Sequence, residues 1–155
     1  MKLIDLANSI YYNDLLESSD TSVTKILYWL ASDNNIGTLN DFIATEYVIV
    51  GNEAVPELSN EAAGIYGIYY LLKYYERMAK TSLNASALDV IEVKEADTTV
   101  RLVNRNEIAK TYKGFANDTR DYLNKLVESY KKFHCIPASI HSNFFAEITK
   151  IIQQP

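Results

Sequence analysis

Residues 57–82 read ELSNEAAGIYGIYYLLKYYERMAKTS, and this stretch decides the fold. Between Ile65 and Tyr75 only Gly67 and Lys73 are not large and apolar. A helix with that sequence is apolar nearly all round and has to be covered on most sides. Ser59 can cap its first N–H groups, and Glu57 and Glu61 suit the positive end of the helix dipole. Arg77 and Lys80 lie toward the negative end. Gly64 and Gly67 would each cost about 1 kcal/mol relative to Ala. They stand three residues apart, nearly on one face, and so predict close approach of another backbone.

Upstream, residues 3–9 allow a short helix. SSDTSVTKILYWLAS places Val23, Ile26, Leu27 and Leu30 at i, i+3, i+4 and i+7, which predicts a helix over about 20–32. Ser19 or Asp20 is the expected cap. SDNNIG then ends it, with Gly37 free to take a positive φ. A second helix is expected from Thr38, carrying Leu39, Phe42, Ile43 and Tyr47 on one side until Gly51, Asn52 and Pro56 break it. The corner between the two helices is assigned to Trp29, Gly37 and Phe42, with Trp29 and Phe42 as an apolar clasp.

Downstream the period changes. Val90, Glu92 and Lys94 alternate with Ile91, Val93 and Glu95, and a matching alternation runs over 99–103. Two β-branched runs around KEAD predict a hairpin of about 89–94 and 98–103. The absence of Asn-Gly or Asp-Gly argues against the tightest turn. Asn104 with Glu107 is a capping-box variant. From Ile108 an apolar stripe runs through Tyr112, Phe115, Thr119, Tyr122, Leu126 and Tyr130 to Phe133, predicting one helix of about 30 residues. Pro137 is expected to end it. Beyond lies an apolar tail, with Ile140, Phe144, Phe145, Ile148 and Ile151 too hydrophobic to leave in water. Together these elements predict a mostly α fold: a bundle of four or five helices with one long helix, an inserted β-hairpin near 89–103 and an extended C-terminal segment. Residues 1–133 form the expected helical domain and 134–155 the tail.

Composition narrows the function. At 155 residues one domain is expected. Twelve tyrosines against one Trp suit surfaces buried against partners. A net charge of −5 speaks against gripping phosphate backbones by bulk electrostatics. One cysteine excludes an internal disulfide framework and fits a reducing compartment. The N-terminus carries Asp5, Asn8 and Asn13 in its apolar run, so no signal peptide is expected. No apolar run is long enough to span a bilayer, so no membrane association is expected.

Catalytic motifs do not emerge. His134, Cys135 and His141 lack a recognised zinc spacing and a fourth ligand. The carboxylates sit in no pattern that binds metal or raises a pKa, and no glycine-rich phosphate loop occurs. No catalytic residue, metal site or cofactor is assigned.

Four stretches resemble the head-to-tail connector proteins of tailed bacteriophages, in particular ring proteins of crAss-like phages. They are the helix pair joined at NNIGTLNDFIATEY, the helix PELSNEAAGIYGIYYLLKYYERMA, the hairpin and helix start IEVKEADTTVRLVNRNEIAKTYKGFA, and the C-terminal segment. The resemblance covers roughly 20–133 as architecture. It implies a homo-oligomeric ring, commonly dodecameric, made in the host cytoplasm and placed in the virion neck. Such a ring joins the portal protein to the next neck or tail ring protein, with DNA only as passing cargo. It further implies portal or ring contacts at Ile140, Phe144, Phe145, Ile148 and Ile151. Val90, Glu92, Lys94 and Arg101 of the hairpin would face neighbouring subunits or the channel.

Two other readings stay open. A monomeric helical module could sequester a small apolar ligand or a host protein in a Tyr-lined groove. An enzyme would have to use His134 or His141.

Overall fold

A computed structural model describes residues 1–85, 92–95, 98–101 and 105–152, with side chains for 1–83 and 106–134. The protein is mostly helical, as the apolar periodicities predict. In order come α1 (Leu3–Ser9), a π-helical turn (Ile10–Asp14), α2 (Val23–Leu30), α3 (Asp33–Ile43), β1 (Val48–Val50), β2 (Glu53–Val55), α4 (Asn60–Ala85), β3 (Glu92–Glu95), β4 (Thr98–Arg101) and α5 (Arg105–Ile152). Packing divides the chain into two units, Met1–Ile65 with Asn124–Pro155, and Tyr66–Leu123.

The first unit is built on aliphatic side chains. Leu3, Ile10, Ile26, Leu30, Leu39 and Leu58 are almost completely buried. Each such side chain contributes about 1.5–3 kcal/mol over its exposed state. Ser22, not Ser19 or Asp20, caps α2: the Lys25 backbone N–H donates to its Oγ at 3.3 Å. The helix is correspondingly shorter than 20–32.

The corner after α2 also differs from expectation. Only Ala31 and Ser32 separate the two helices, and α3 begins at Asp33, five residues before Thr38. Asp33 and the asparagines act as first-turn residues, where short polar side chains and negative charge are favourable. Gly37 therefore lies inside α3, its φ is not positive, and a Cβ added there meets no atom within 4 Å. It is no turn glycine. Thr38 caps nothing; its hydroxyl donates to the Asn34 carbonyl at 2.9 Å. The corner is tied by Asn35, whose Nδ2 donates to the Trp29 carbonyl at 2.8 Å. Trp29 and Phe42 are both half-buried.

α3 stops at Ile43, with Ala44 left-handed at φ 54°. The apolar run after it is a strand, not more helix. β1 and β2 pair antiparallel, Val48 opposite Val55 and Val50 opposite Glu53, around Gly51 at φ 67° and Asn52. Gly51 supplies the positive φ of the two-residue turn. Tyr47 thus sits in the connection. Its N–H donates to Asn40 Oδ1 at 2.9 Å, and its carbonyl accepts from Asn40 Nδ2 at 2.8 Å.

α4 starts as expected. The Ala62 N–H donates to Ser59 Oγ at 3.1 Å. Gly64, however, is exposed, with open space where a Cβ would lie, so no backbone approaches it; Gly67 is buried.

In the second unit Tyr66, Tyr69, Tyr70, Leu71, Leu72 and Tyr74 of α4 are buried. β3 and β4 form the predicted hairpin, with Glu92 opposite Arg101 and Lys94 opposite Thr99. Glu95 pairs with Thr98, so only two residues separate the strands, fewer than the turn chemistry suggested. Val90 and Asn104 lie outside the described residues. On α5 the buried line is not the large apolar stripe. It is Ala109, Ala116 and Leu123, each seven apart. Small side chains let a helix approach its neighbour closely, and the larger residues then flank the contact. Phe115 and Tyr122 remain 49% and 52% exposed.

α5 also runs past Pro137 to Ile152, 48 residues in all, against a mean of about 11–12 for globular helices. Pro137 removes one backbone donor but does not end the element. The backbone carrying Ile140, Phe144, Phe145, Ile148 and Ile151 is therefore helical; their side chains lie outside those described.

Candidate functional site

The described residues concentrate unusual chemistry in three places. The first is the outer face of the β1–β2 hairpin. Strand alternation and register put Val48, Val50, Glu53 and Val55 on one face. The three valines are 55%, 62% and 48% exposed. On the other face Ala54 is buried and Ile49 half-buried, where the hairpin packs on α1 and α3. An apolar outer face of β-branched side chains is the costly kind of exposure that marks interaction surfaces. Beside it lies an open depression of about 510 Å³, lined by Ala44, Thr45, Glu46, Tyr47 and Pro56.

The second is a polar cluster. His134 Nε2 of α5 lies 3.3 Å from Glu61 Oε2 in the first turn of α4, and both are exposed. The Tyr130 ring stands 4.2 Å from the imidazole. Burial, with the nearby Tyr47 and Glu61, pushes the Tyr130 phenol above its ordinary range. Among the described residues, no nucleophile stands beside Tyr130, His134 and Glu61 to complete a reactive set. Among the described residues, no group of three or more His, Cys, Asp or Glu side chains could hold a metal ion.

The third is the exposed side of α4 in the second unit. Lys73, Arg77 and Lys80 recur at i, i+4 and i+7, forming one stripe. Lys73 Nζ stands 5.7 Å from the Tyr69 ring centre and the Arg77 guanidinium 5.7 Å from that of Tyr74. Lys73 is shared with Glu76 at 3.1 Å, whereas Arg77 and Lys80 form no ion pair among the described residues.

Charge is divided along the chain in a way that the net value hides. Residues 1–65 hold ten carboxylates and two lysines, a net −8, leaving +3 for the rest. Glu46, Glu53 and Glu57 are exposed around the hairpin. A count by segment would have revealed this asymmetry from sequence. The hairpin face was legible too, since β-branched Val48–Val50 precede Gly-Asn.

The expected contact residues are not gathered into one site. Glu92, Lys94 and Arg101 lie on β3 and β4 with side chains outside those described, and Trp29 and Phe42 flank a helix corner. No described helix is long and apolar enough to cross a membrane. Compared with known protein families, with curated proteins and with solved structures, the chain matches none.

Proposed function

We propose that the protein is a non-catalytic assembly subunit: one copy of a ring that joins a phage portal to the neck or tail and continues the DNA channel. The observation that carries this reading is apolar surface beyond the needs of one small core. Val48, Val50 and Val55 form an exposed sheet face, and Phe115, Tyr122 and Phe133 are exposed on α5. Tyr28 and Leu16 add to it at 83% and 79% exposure. A free monomer gains nothing from this distribution, whereas a ring subunit buries a different patch on each side. The resemblance of the helix pair, central helix and hairpin to connector proteins supplies the kind of ring. The helical tail around Phe144 and Ile148 is the segment assigned to portal docking.

The test is reconstitution with the portal protein encoded in the same genome, followed by electron microscopy. A ring stacked coaxially on the portal is the expected result. A chain that remains monomeric and elutes apart from the portal would overturn the reading.

A further inference from the structure

We propose that the outer face of the β1–β2 hairpin in one copy docks on the Lys73–Arg77–Lys80 stripe of the next copy, in a head-to-tail contact. The inference rests on the ring reading and names its contact surfaces. Three observations lead to it. The hairpin face has an apolar centre, Val48, Val50 and Val55, with Glu46 and Glu53 exposed beside it. An apolar centre with a charged rim is the usual anatomy of a protein interface.

Charge complementarity selects the occupant. The segment holding the hairpin has net −8, so the hairpin of a second copy is repelled by it, and a patch-to-patch dimer is disfavoured. The same chain carries the matching surface. Arg77 and Lys80 are exposed and form no ion pair among the described residues, and the ring of Tyr74 lies under the guanidinium. Three residues beyond Lys80, Leu83 is 53% exposed and offers apolar surface to the valines. Two different, complementary patches on one chain generate a heterologous contact, which closes into a ring or continues as a filament.

Charge reversal tests this. One variant carries Glu46→Lys with Glu53→Lys, the other Arg77→Glu with Lys80→Glu. All four positions are exposed, and circular dichroism checks that each variant is folded. Sedimentation is followed at high protein concentration and low ionic strength, where surface charge is least screened. Wild type self-associates, and each variant alone associates at least about tenfold more weakly. An equimolar mixture recovers association, because the reversed hairpin of one variant meets the reversed stripe of the other, while the two unreversed patches pair as in wild type. Wild type that stays monomeric throughout, variants that associate like wild type, or a mixture that fails to recover each overturn the contact.

A DNA-retention assay runs in parallel. Loss of duplex binding in the Arg77/Lys80 variant with unchanged self-association would assign the stripe to nucleic acid instead. Portal reconstitution separates the two ideas. Variants that still form rings on the portal sink this contact and leave the ring reading standing. Rescue in the mixture without any portal ring does the reverse.

Discussion

Arg120 Nη2 lies 2.7 Å from Glu76 Oε1, tying α5 to α4 across 44 residues of chain. Lys73 reaches the other oxygen, Oε2, at 3.1 Å. Burial alone would raise the Glu76 pKa, but the hydrogen bonds and charges of Lys73 and Arg120 outweigh it and hold the carboxyl below its ordinary range. A depressed folded-state pKa contributes stability above the unfolded value, and that stability is lost as pH falls through the folded one. Arg120→Ala should therefore cost about 0.5–1 kcal/mol at neutral pH, because Arg120 is half exposed. The difference from wild type should shrink below about pH 4. Thermal melts of both proteins from pH 7 to pH 3 check this; a gap that stays constant would contradict it.

Asn40 substitutes for a missing strand. Its amide pairs with both the N–H and the carbonyl of Tyr47, and the Thr45 hydroxyl donates to the same Oδ1 at 3.0 Å. Replacing it with Ala leaves the Tyr47 backbone groups without these partners, at a cost of about 1–3 kcal/mol. Asn40→Asp keeps the acceptor and should lose less. Urea denaturation of the two variants ranks them; equal losses would mean that accepting from the Tyr47 N–H and the Thr45 hydroxyl contributes nothing.

Ala44 holds a left-handed backbone at the end of α3. Outside glycine this conformation costs roughly 1–2 kcal/mol. Ala44→Gly should therefore raise the urea midpoint. A lower midpoint would show that the added freedom of glycine in the unfolded chain outweighs the relieved strain.

Tyr66 is completely buried, and burial, then the neighbouring Tyr69, pushes its phenol well above the ordinary 10.0. A raised folded-state pKa contributes stability that is complete below the unfolded value and lost as pH rises past it. Absorbance at the phenolate band should show one tyrosine that ionises only with alkaline unfolding, a step missing in Tyr66→Phe. Simultaneous titration of all phenols near their ordinary value would refute the assignment.

Removing 136–155 should leave the melting temperature near that of wild type and abolish portal docking. Undiminished docking of the shortened chain would exclude the tail as an anchor. A large drop in melting temperature would instead place it in the core.

These outcomes bear on how far the sequence could be read. Ser59 and the all-apolar run behind it announced α4 because cap and periodicity agree. The β3–β4 alternation was equally plain. The α2–α3 corner is ambiguous in sequence because Asp and Asn both stop helices and start them, and only packing decides which. Val48–Val50 follow Phe42, Ile43 and Tyr47 at helical spacing, which carries the helical pattern on over the strand despite its β-branched side chains. On α5 the largest apolar residues suggested the buried stripe, but Ala109 and Ala116 fill it. Size signals hydrophobic content, not which face allows closest approach. The acidic and basic surfaces were present in residue counts and vanished only in the net charge.

The π-helical turn at Ile10–Asp14 carries a consequence for chain length. The Leu15 N–H donates to the Ile10 carbonyl at 3.0 Å, one residue further back than in an α-helix. The wider turn accommodates one more residue than an α-helical turn would, while Leu3, Leu6 and Ile10 all stay buried. Relatives one residue shorter between Ile10 and Leu15 should have an ordinary α-helical turn there, which makes this segment a natural place to look for length variation among homologues.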